Sequence, residues 1–207
     1  WRPEDSLLQA ENDRRAAAHP FTRGTDSQLL CGDFFYGLDL AILATDVMNA
    51  GLSGMAVWML DDAMHASGAG TRDMKLWGFW NILGEELFGD VSLEAPKPSF
   101  YCWSLMCRYF PRGCDIVKVQ TDRVEGLRMA AARCDGRSTL AVVNYSDTDR
   151  LLEVDLSLSG GVRYDYVEGA CPVDADGLPV PAATGLSGRR HRVTVPAGSL
   201  ILLTDMQ

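Results

Sequence analysis

The sequence lacks the short motifs that mark several large classes of enzyme and metal protein. It contains no Gly-rich phosphate loop, no Gly-x-Ser-x-Gly elbow and no Cys-His arrangement, and its three histidines are far apart. The six cysteines include no Cys-x-x-Cys pair, so the spacing of a structural zinc site is missing as well. We therefore expect no cofactor and no metal. We interpret the cysteines as free core thiols, with metal binding or disulfides as the less favoured alternative.

Basic clusters and long apolar runs are also missing. The chain carries 19 Lys and Arg against 28 Asp and Glu, a formal net charge of −9. Because phosphate binding needs a concentrated basic face, nucleic acid is not an expected partner. No apolar run reaches the roughly 18 residues that a membrane-spanning helix needs, so a membrane is not expected either. The 207 residues, 47% of them hydrophobic, have an ordinary globular composition and suffice for one large domain or two small ones.

The first half of the chain carries the pattern of an α/β fold. Apolar residues recur at helical spacing over residues 36–51, and a continuous apolar run follows at residues 54–60. A run that is apolar on both faces is typical of a buried parallel strand. Two further helical patterns cover residues 74–88 and 98–110, with a polar loop predicted at residues 61–73.

From residue 115 onward the hydrophobic period changes to two and the segments become short. The predicted strands are 116–121, 126–134, 138–145, 150–158, 161–167, 190–195 and 199–205. Short strands at roughly ten-residue spacing, with turn-forming residues between them, indicate an antiparallel β-sandwich of about 90 residues.

These patterns predict two domains of different class, α/β followed by all-β. Residues 1–113 would form the last units of a (β/α)8 barrel, and residues 114–207 would form the β-sandwich. Because a closed barrel takes about 250 residues, we expect the chain to be a fragment of a larger fold. A complete small α/β protein would need several more parallel strands in residues 1–50, and none is found there.

Candidate binding residues lie around the end of the predicted strand. Trp58 lies within it, Asp61 and Asp62 end it, and His65 follows. In a barrel the carboxyl ends of the strands build the active site, so these residues would face a pocket that Tyr36 could also line. An indole face beside carboxylates suits a sugar, which stacks on the ring and donates hydroxyl hydrogen bonds. The alternative is that Trp58 is a core residue and the two aspartates begin a helix or a turn.

Two stretches resemble retaining (β/α)8 glycoside hydrolases. Residues 54–58, Gly-Met-Ala-Val-Trp, with the following aspartates look like the eighth strand and its loop. Residues 97–113, which open Lys-Pro-Ser-Phe-Tyr and close Arg-Tyr-Phe-Pro-Arg-Gly, are similar to the last barrel helix before a β-sandwich. Families 30, 39 and 79 share this layout, and the resemblance covers residues 30–207. It implies hydrolysis of O-glycosyl bonds in a carbohydrate substrate, without a cofactor, in an extracellular or periplasmic location.

The resemblance also implies where the catalytic carboxyls would stand. Retention needs two carboxyls about 5–5.5 Å apart. The acid/base would precede Trp1, so the N-terminal part of the barrel is a candidate partner. The nucleophile would stand shortly before residue 36, where the only glutamates are Glu4 and Glu11 and the nearest carboxylate is Asp33. None has the Glu-(Phe/Tyr)-Gly context of the family, so no catalytic residue is assigned and we predict no hydrolase activity for the chain alone. The alternative is a non-catalytic carbohydrate-binding or structural β-sandwich module.

Overall fold

The computed structural model describes residues 3–18, 29–58, 60–67, 71–82, 84–121 and 124–206. The chain divides into two compact units, the first comprising residues 1–36 and 56–100 and the second residues 37–55 and 101–207. Residues 37–55 and 101–113 therefore group with the β-rich half. The two predicted domains with their boundary at residues 113 and 114 stay a prediction, because contacts within one chain do not show which part folds alone.

The first unit is built from short elements. They are helix α1 (Pro3–Ala18), a 3-10 turn (Leu29–Gly32), strands β1 (Ala63–Ser67) and β2 (Thr71–Lys75), helix α3 (Gly84–Phe88) and a second 3-10 turn (Val91–Glu94). Strands β1 and β2 form an antiparallel hairpin with Ala63 opposite Lys75. The predicted loop at residues 61–73 is therefore mostly a hairpin.

Two of the predicted helices are confirmed. Helix α2 (Phe34–Asn49) and helix α4 (Pro98–Tyr109) match the patterns at residues 36–51 and 98–110. Gly51, at φ +77°, ends α2 by donating to the Met48 carbonyl at 3.0 Å, while Leu52 donates to Val47 at 3.2 Å. This is the double hydrogen bond by which a glycine in the left-handed conformation terminates a helix.

The predicted helix at residues 74–88 is wrong over most of its length. Residues 71–75 belong to β2, and among the described residues of this stretch only 84–88 form a helix. Phe79 lies in a bend, and Trp80 forms a parallel bridge with Asp61. The apolar spacing in this stretch reflects tertiary burial, since Leu76 and Phe79 are core residues.

The buried strand predicted at residues 54–60 is also wrong. Among its described residues, 54–58 and 60, none belongs to a strand, and Trp58 and Leu60 are 77% and 59% exposed. Pairing begins only at its end, where Phe79 donates to the Leu60 carbonyl at 3.0 Å and Asp62 donates to the Trp80 carbonyl at 2.8 Å. An apolar run becomes a buried strand only where other segments cover its edges and faces. Among the described residues of this run, only Leu60 has a paired backbone, and its side chain is still exposed.

The second unit contains one six-stranded antiparallel sheet. Its strands, in spatial order, are β3 (Asp115–Val117), β4 (Leu127–Cys134), β5 (Arg137–Asn144), β8 (Ser199–Thr204), β6 (Arg150–Tyr166) and β7 (Ala183–Val195). The antiparallel all-β prediction is confirmed for this half. Hydrogen bonds link all six strands into one sheet, and the arrangement of this sheet as a sandwich stays a prediction.

Strand β6 replaces two predicted strands, 150–158 and 161–167. The Gly160-Gly161 pair was predicted to be a turn, but it lies within a continuous strand whose register shifts there. A Cβ on Gly161 would lie 2.8 Å from the Thr204 carbonyl oxygen, so the glycine permits a close approach to β8. Beyond this irregularity β6 pairs with β8 along residues 162–166. The glycines therefore bend the strand without reversing the chain.

Strand β8 lies at the centre of this unit, and all six of its residues are buried. Ile201 and Leu203 belong to one apolar cluster, with residues from β4, β5, β6 and β7. Leu202 faces the opposite cluster, where Leu105 and Tyr109 of α4 pack. Both faces of the sheet are thus covered, and this explains why residues 200–203 in the middle of β8 are all apolar.

Candidate functional site

A buried ion pair lies at the centre of the first unit. Lys97 Nζ donates to Asp62 Oδ1 at 2.8 Å and to the Gly78 carbonyl at 2.8 Å. The Gly78 amide also donates to Asp62 Oδ1 at 2.8 Å. The Asp62 side chain is 1% exposed and that of Lys97 18%. We call these three residues the Asp62–Lys97 network.

The position of Lys97 follows from the proline after it. Pro98 is the first residue of α4, and a residue before proline favours extended backbone. The Lys97 amide donates to the Phe79 carbonyl at 2.7 Å, and its own carbonyl accepts from Phe100 at 3.0 Å. Both hydrogen bonds fix the backbone of Lys97 at the helix start and direct its side chain to Asp62.

Gly78 allows the segments at residues 60–62 and 78–80 to approach each other closely. A Cβ at this position would lie 2.2 Å from the Asp61 carbonyl carbon and 2.5 Å from the Asp62 amide nitrogen. No side chain fits there without moving backbone. The close approach lets Gly78 donate to the Asp62 carboxylate.

Cys31 borders the network as a buried, protonated thiol. Its Sγ donates to the Leu76 carbonyl at 2.8 Å and lies 3.6 Å from Lys97 Nζ. Burial raises the pKa of the Cys31 thiol to about 11, and Lys97 only partly opposes this. A thiol that stays protonated at neutral pH is a poor nucleophile, so Cys31 has the packing role expected of a core cysteine.

One oxygen of Asp62 is left without a protein partner. Oδ2 is buried and makes no hydrogen bond within the described part of the chain. Burial raises the pKa of Asp62, while Lys97 and the Gly78 amide act in the opposite direction. A cavity of about 140 Å³ adjoins the carboxylate, with Lys97, Cys31 and Asn81 also in its lining. It has room for a few water molecules.

The five predicted binding residues occupy different environments. Trp58 is exposed, Asp61 is half-buried in its bridge to Trp80, and Asp62 is buried against Lys97. Tyr36 is half-buried in the first turn of α2, and its amide donates to the Asp33 carbonyl at 3.2 Å. His65 lies in β1 and not in a loop, and its side chain lies outside the described residues. A shared sugar pocket for all five stays a prediction, and Trp58 is the most exposed of the four whose side chains the structure describes.

Two of the three carboxylates considered for the nucleophile are held by arginines. Arg14 and Arg15 both donate to Glu11 at 2.7 Å, and these bonds lower the pKa of Glu11 to about 2. Arg15 Nη1 lies 3.2 Å from both oxygens of Asp33. Glu4 lies in α1, and its side chain is outside the described residues. Glu11 and Asp33 thus act as structural partners of arginine in this unit.

The sequence analysis missed Lys97, Gly78 and Cys31 as parts of a site. The sequence nevertheless contains a signal for Lys97, which lies between two prolines just before a helix. The prolines restrict the backbone there, so the position of the lysine side chain is restricted as well. In the described part of the chain, no group of three or more side chains could hold a metal ion. Within the same residues no helix is both long and apolar enough to cross a membrane.

Comparisons with known proteins identify the fold. No family model and no curated protein matches the sequence. The solved structures that it resembles include a glycoside hydrolase family 30 endoxylanase from Clostridium papyrosolvens (11% identity, TM-score 0.55, 98% of this chain and 46% of that one). They also include a family 30 subfamily 8 xylanase from Clostridium acetobutylicum (11%, 0.57, 89% and 40%) and the catalytic domain of family 30 xylanase C from Talaromyces cellulolyticus (12%, 0.57, 89% and 37%).

The chain spans less than half the length of each of these three enzymes. At 11–12% identity the likeness concerns the fold. It agrees with the resemblance that the sequence shows to a C-terminal portion of such an enzyme. The chain therefore has the fold of a part of the family 30 glycoside hydrolases.

Proposed function

We propose that the chain is the C-terminal part of a retaining glycoside hydrolase, formed by the last barrel units and a β-sandwich domain. The observation that carries the proposal is the fold match, which covers 89–98% of the chain in three family 30 xylanases. All three of these enzymes are xylanases, so the proposed substrate class is a xylan-type polysaccharide. Such a polymer lies outside the cell, which supports an extracellular or periplasmic location.

In this proposal Trp58 is the sugar platform. It is exposed, it lies two positions before the paired segment at residues 60–62, and an exposed indole offers the flat face on which a sugar ring stacks. Asp61, three positions further along the chain, supplies a half-buried residue, with Tyr36, Asp62 and His65 as further pocket-wall candidates. The Asp62–Lys97 network fixes the side chain of Asp62 in this proposal.

Hydrolysis with retention requires two carboxyls that flank one glycosidic bond. Glu11 and Asp33 are paired with arginines, and hydrogen bonds from a guanidinium to its oxygens weaken a carboxylate as a nucleophile. These contacts support the proposal that the catalytic pair belongs to the remainder of the barrel. The 207-residue chain is then a binding-competent part without turnover of its own.

Replacement of Trp58 by alanine is expected to weaken binding of a β-1,4-linked xylohexaose roughly tenfold. Loss of ring stacking costs about 0.5–1.5 kcal/mol beyond the lost contact area, and about 1.4 kcal/mol corresponds to tenfold in affinity. Isothermal titration calorimetry of the full chain measures the change. Leu60→Ala is the matched control, because Leu60 is also exposed and apolar but carries no ring. No aryl-xyloside turnover is expected from either variant or from the parent chain.

A non-catalytic glycan-binding module is the second candidate, and one observation favours it. A groove of about 1180 Å³ in the second unit is lined in part by Tyr145 and Arg128. Tyr145 is exposed, and the Arg128 guanidinium lies 5.0 Å from its ring centre and donates to its hydroxyl at 2.8 Å. If Tyr145→Ala abolishes xylohexaose binding and Trp58→Ala leaves it unchanged, the module function replaces the hydrolase proposal.

A further inference from the structure

Two cysteines of the second unit lie opposite each other across neighbouring strands. In the antiparallel pair of β3 and β4, Asp115 is opposite Arg133 and Ile116 is opposite Ala132. The same register, continued by one residue, places Cys114 opposite Cys134. Both are half-buried free thiols, and both pack against the apolar cluster around Leu105 and Tyr109. They therefore lie on the same face of the sheet.

The turn after β4 fixes the backbone geometry of this pair. Strands β4 and β5 close at Cys134 opposite Arg137, around a two-residue turn in which Asp135 and Gly136 have φ of 50° and 78°. Positive φ at both central residues is typical of a type I′ hairpin, whose flanking residues exchange hydrogen bonds. The amide and carbonyl of Cys134 consequently point toward β5 and away from β3.

Cys114 and Cys134 thus form a pair without backbone hydrogen bonds between them. The amide of Cys114 agrees with this, since it donates to the Pro111 carbonyl at 3.2 Å. In such pairs the Cα atoms are about 4.5 Å apart and the side chains are closer than in hydrogen-bonded pairs. Disulfides span Cα distances of about 4.4–6.8 Å, so the backbone already satisfies their requirement.

The charge environment also shows that the two thiols are neighbours. Burial raises the pKa of the Cys114 thiol, and Cys134 raises it further because a second thiolate nearby would repel the first. Cys107 lies on α4, in the lining of the same groove as Cys114, yet it makes no such contribution. Cys134 is therefore the partner that the geometry favours.

We infer that Cys114 and Cys134 are the site of a disulfide bond that fastens the short edge strand β3 to β4. With glutathione disulfide as oxidant, the thiolate of one cysteine attacks a glutathione sulfur and releases one glutathione thiol. The second cysteine then attacks the mixed disulfide, its proton goes to solvent, and the second glutathione leaves. Two protein thiols are oxidised and one glutathione disulfide is reduced to two thiols. The inference is independent of the proposed function.

Peptide mapping of the full chain tests this inference. After equilibration with glutathione disulfide, the protein is unfolded in acidic denaturant, its free thiols are alkylated, and the digested protein is analysed by mass spectrometry. We expect one cross-linked peptide pair that contains Cys114 and Cys134, with a mass about 2 Da below the sum of its reduced peptides. The remaining four cysteines should all be alkylated. Reduction should lower the thermal unfolding midpoint by several degrees, because the bond closes a loop of about 20 residues.

Serine variants provide the controls. Cys134→Ser should lose the cross-link and the redox dependence of the unfolding midpoint, whereas Cys107→Ser should keep both. Alkylation of Cys114 and Cys134 in the oxidised protein, or a bond from Cys114 to Cys107, overturns the inference. Because mapping of the parent chain alone distinguishes these results, a variant that fails to fold does not affect the test.

Discussion

Replacement of Lys97 by methionine should lower the free energy of unfolding by about 3–5 kcal/mol. Methionine keeps much of the apolar stem but removes the cation that neutralises Asp62, whose side chain is 1% exposed. It also removes the donor to the Gly78 carbonyl. An unpaired carboxylate would then stay buried, and this costs far more than loss of an exposed ion pair. Urea unfolding followed by circular dichroism measures the change.

The double variant Lys97→Met with Asp62→Asn distinguishes lost charge pairing from lost packing. Asparagine removes the buried charge, so much of the lost stability should return. Lys118→Met is the matched control, since Lys118 is exposed and its replacement should change stability by less than about 0.5 kcal/mol. Equal effects at Lys97 and Lys118 would show that the ion pair does not stabilise the fold.

The free energy of unfolding of the Lys97→Met variant should depend on pH in a direction that follows from the pKa of Asp62. Burial already raises the pKa of Asp62 above 3.8, and loss of Lys97 raises it further. The folded state then binds the proton more tightly than the unfolded state. The contribution of Asp62 is therefore fully present below its unfolded pKa and is lost as the pH rises through its folded pKa. The ordinary pKa of an aspartate is about 3.9. Relative to the double variant, Lys97→Met should therefore lose stability as the pH is raised above about 4.

Gly78→Ala should be similarly damaging, with a loss of about 3 kcal/mol or more. The new Cβ would lie 2.2 Å from the Asp61 carbonyl carbon, and the atoms it meets are backbone that cannot rotate away. The segments at residues 60–62 and 78–80 would separate, and Gly78 would no longer reach the Asp62 carboxylate. Thermal and urea unfolding measure the loss.

Gly32→Ala is the control for this substitution. Gly32 lies in the same unit, and nothing stands within 4 Å of a Cβ built there. Its replacement should change the free energy of unfolding by no more than about 0.5 kcal/mol. If Gly78→Ala were as well tolerated as this control, the close approach of the two segments would be refuted.

Local sequence patterns correctly predicted helices α2 and α4 and the hairpin of β4 and β5. The helical spacing within residues 36–51 and 98–110 corresponds to α2 and α4, since each buries one apolar face and ends at a glycine or a proline. The hairpin of β4 and β5 follows equally from Asp135-Gly136, which favours a two-residue turn. These features depend on residues close together in the chain.

The predictions that were wrong or missing concern features that depend on long-range contacts. The apolar run at residues 54–60 had the composition of a buried strand, but burial depends on what covers it, and Trp58 is exposed. At Gly160-Gly161, composition could not distinguish a turn from a bulge within β6. The Asp62–Lys97 pair joins residues that are 35 positions apart, and only the fold brings them together.

Nuclear magnetic resonance of the ¹⁵N-labelled full chain, titrated with xylohexaose, tests most directly whether this chain carries a sugar-contacting surface of a glycoside hydrolase. The proposed function predicts that the largest shifts occur at the Trp58 indole N–H and at the amides of residues 57–62. Shifts confined to the sheet of residues 115–206, or no shift at a saturating concentration, would contradict it.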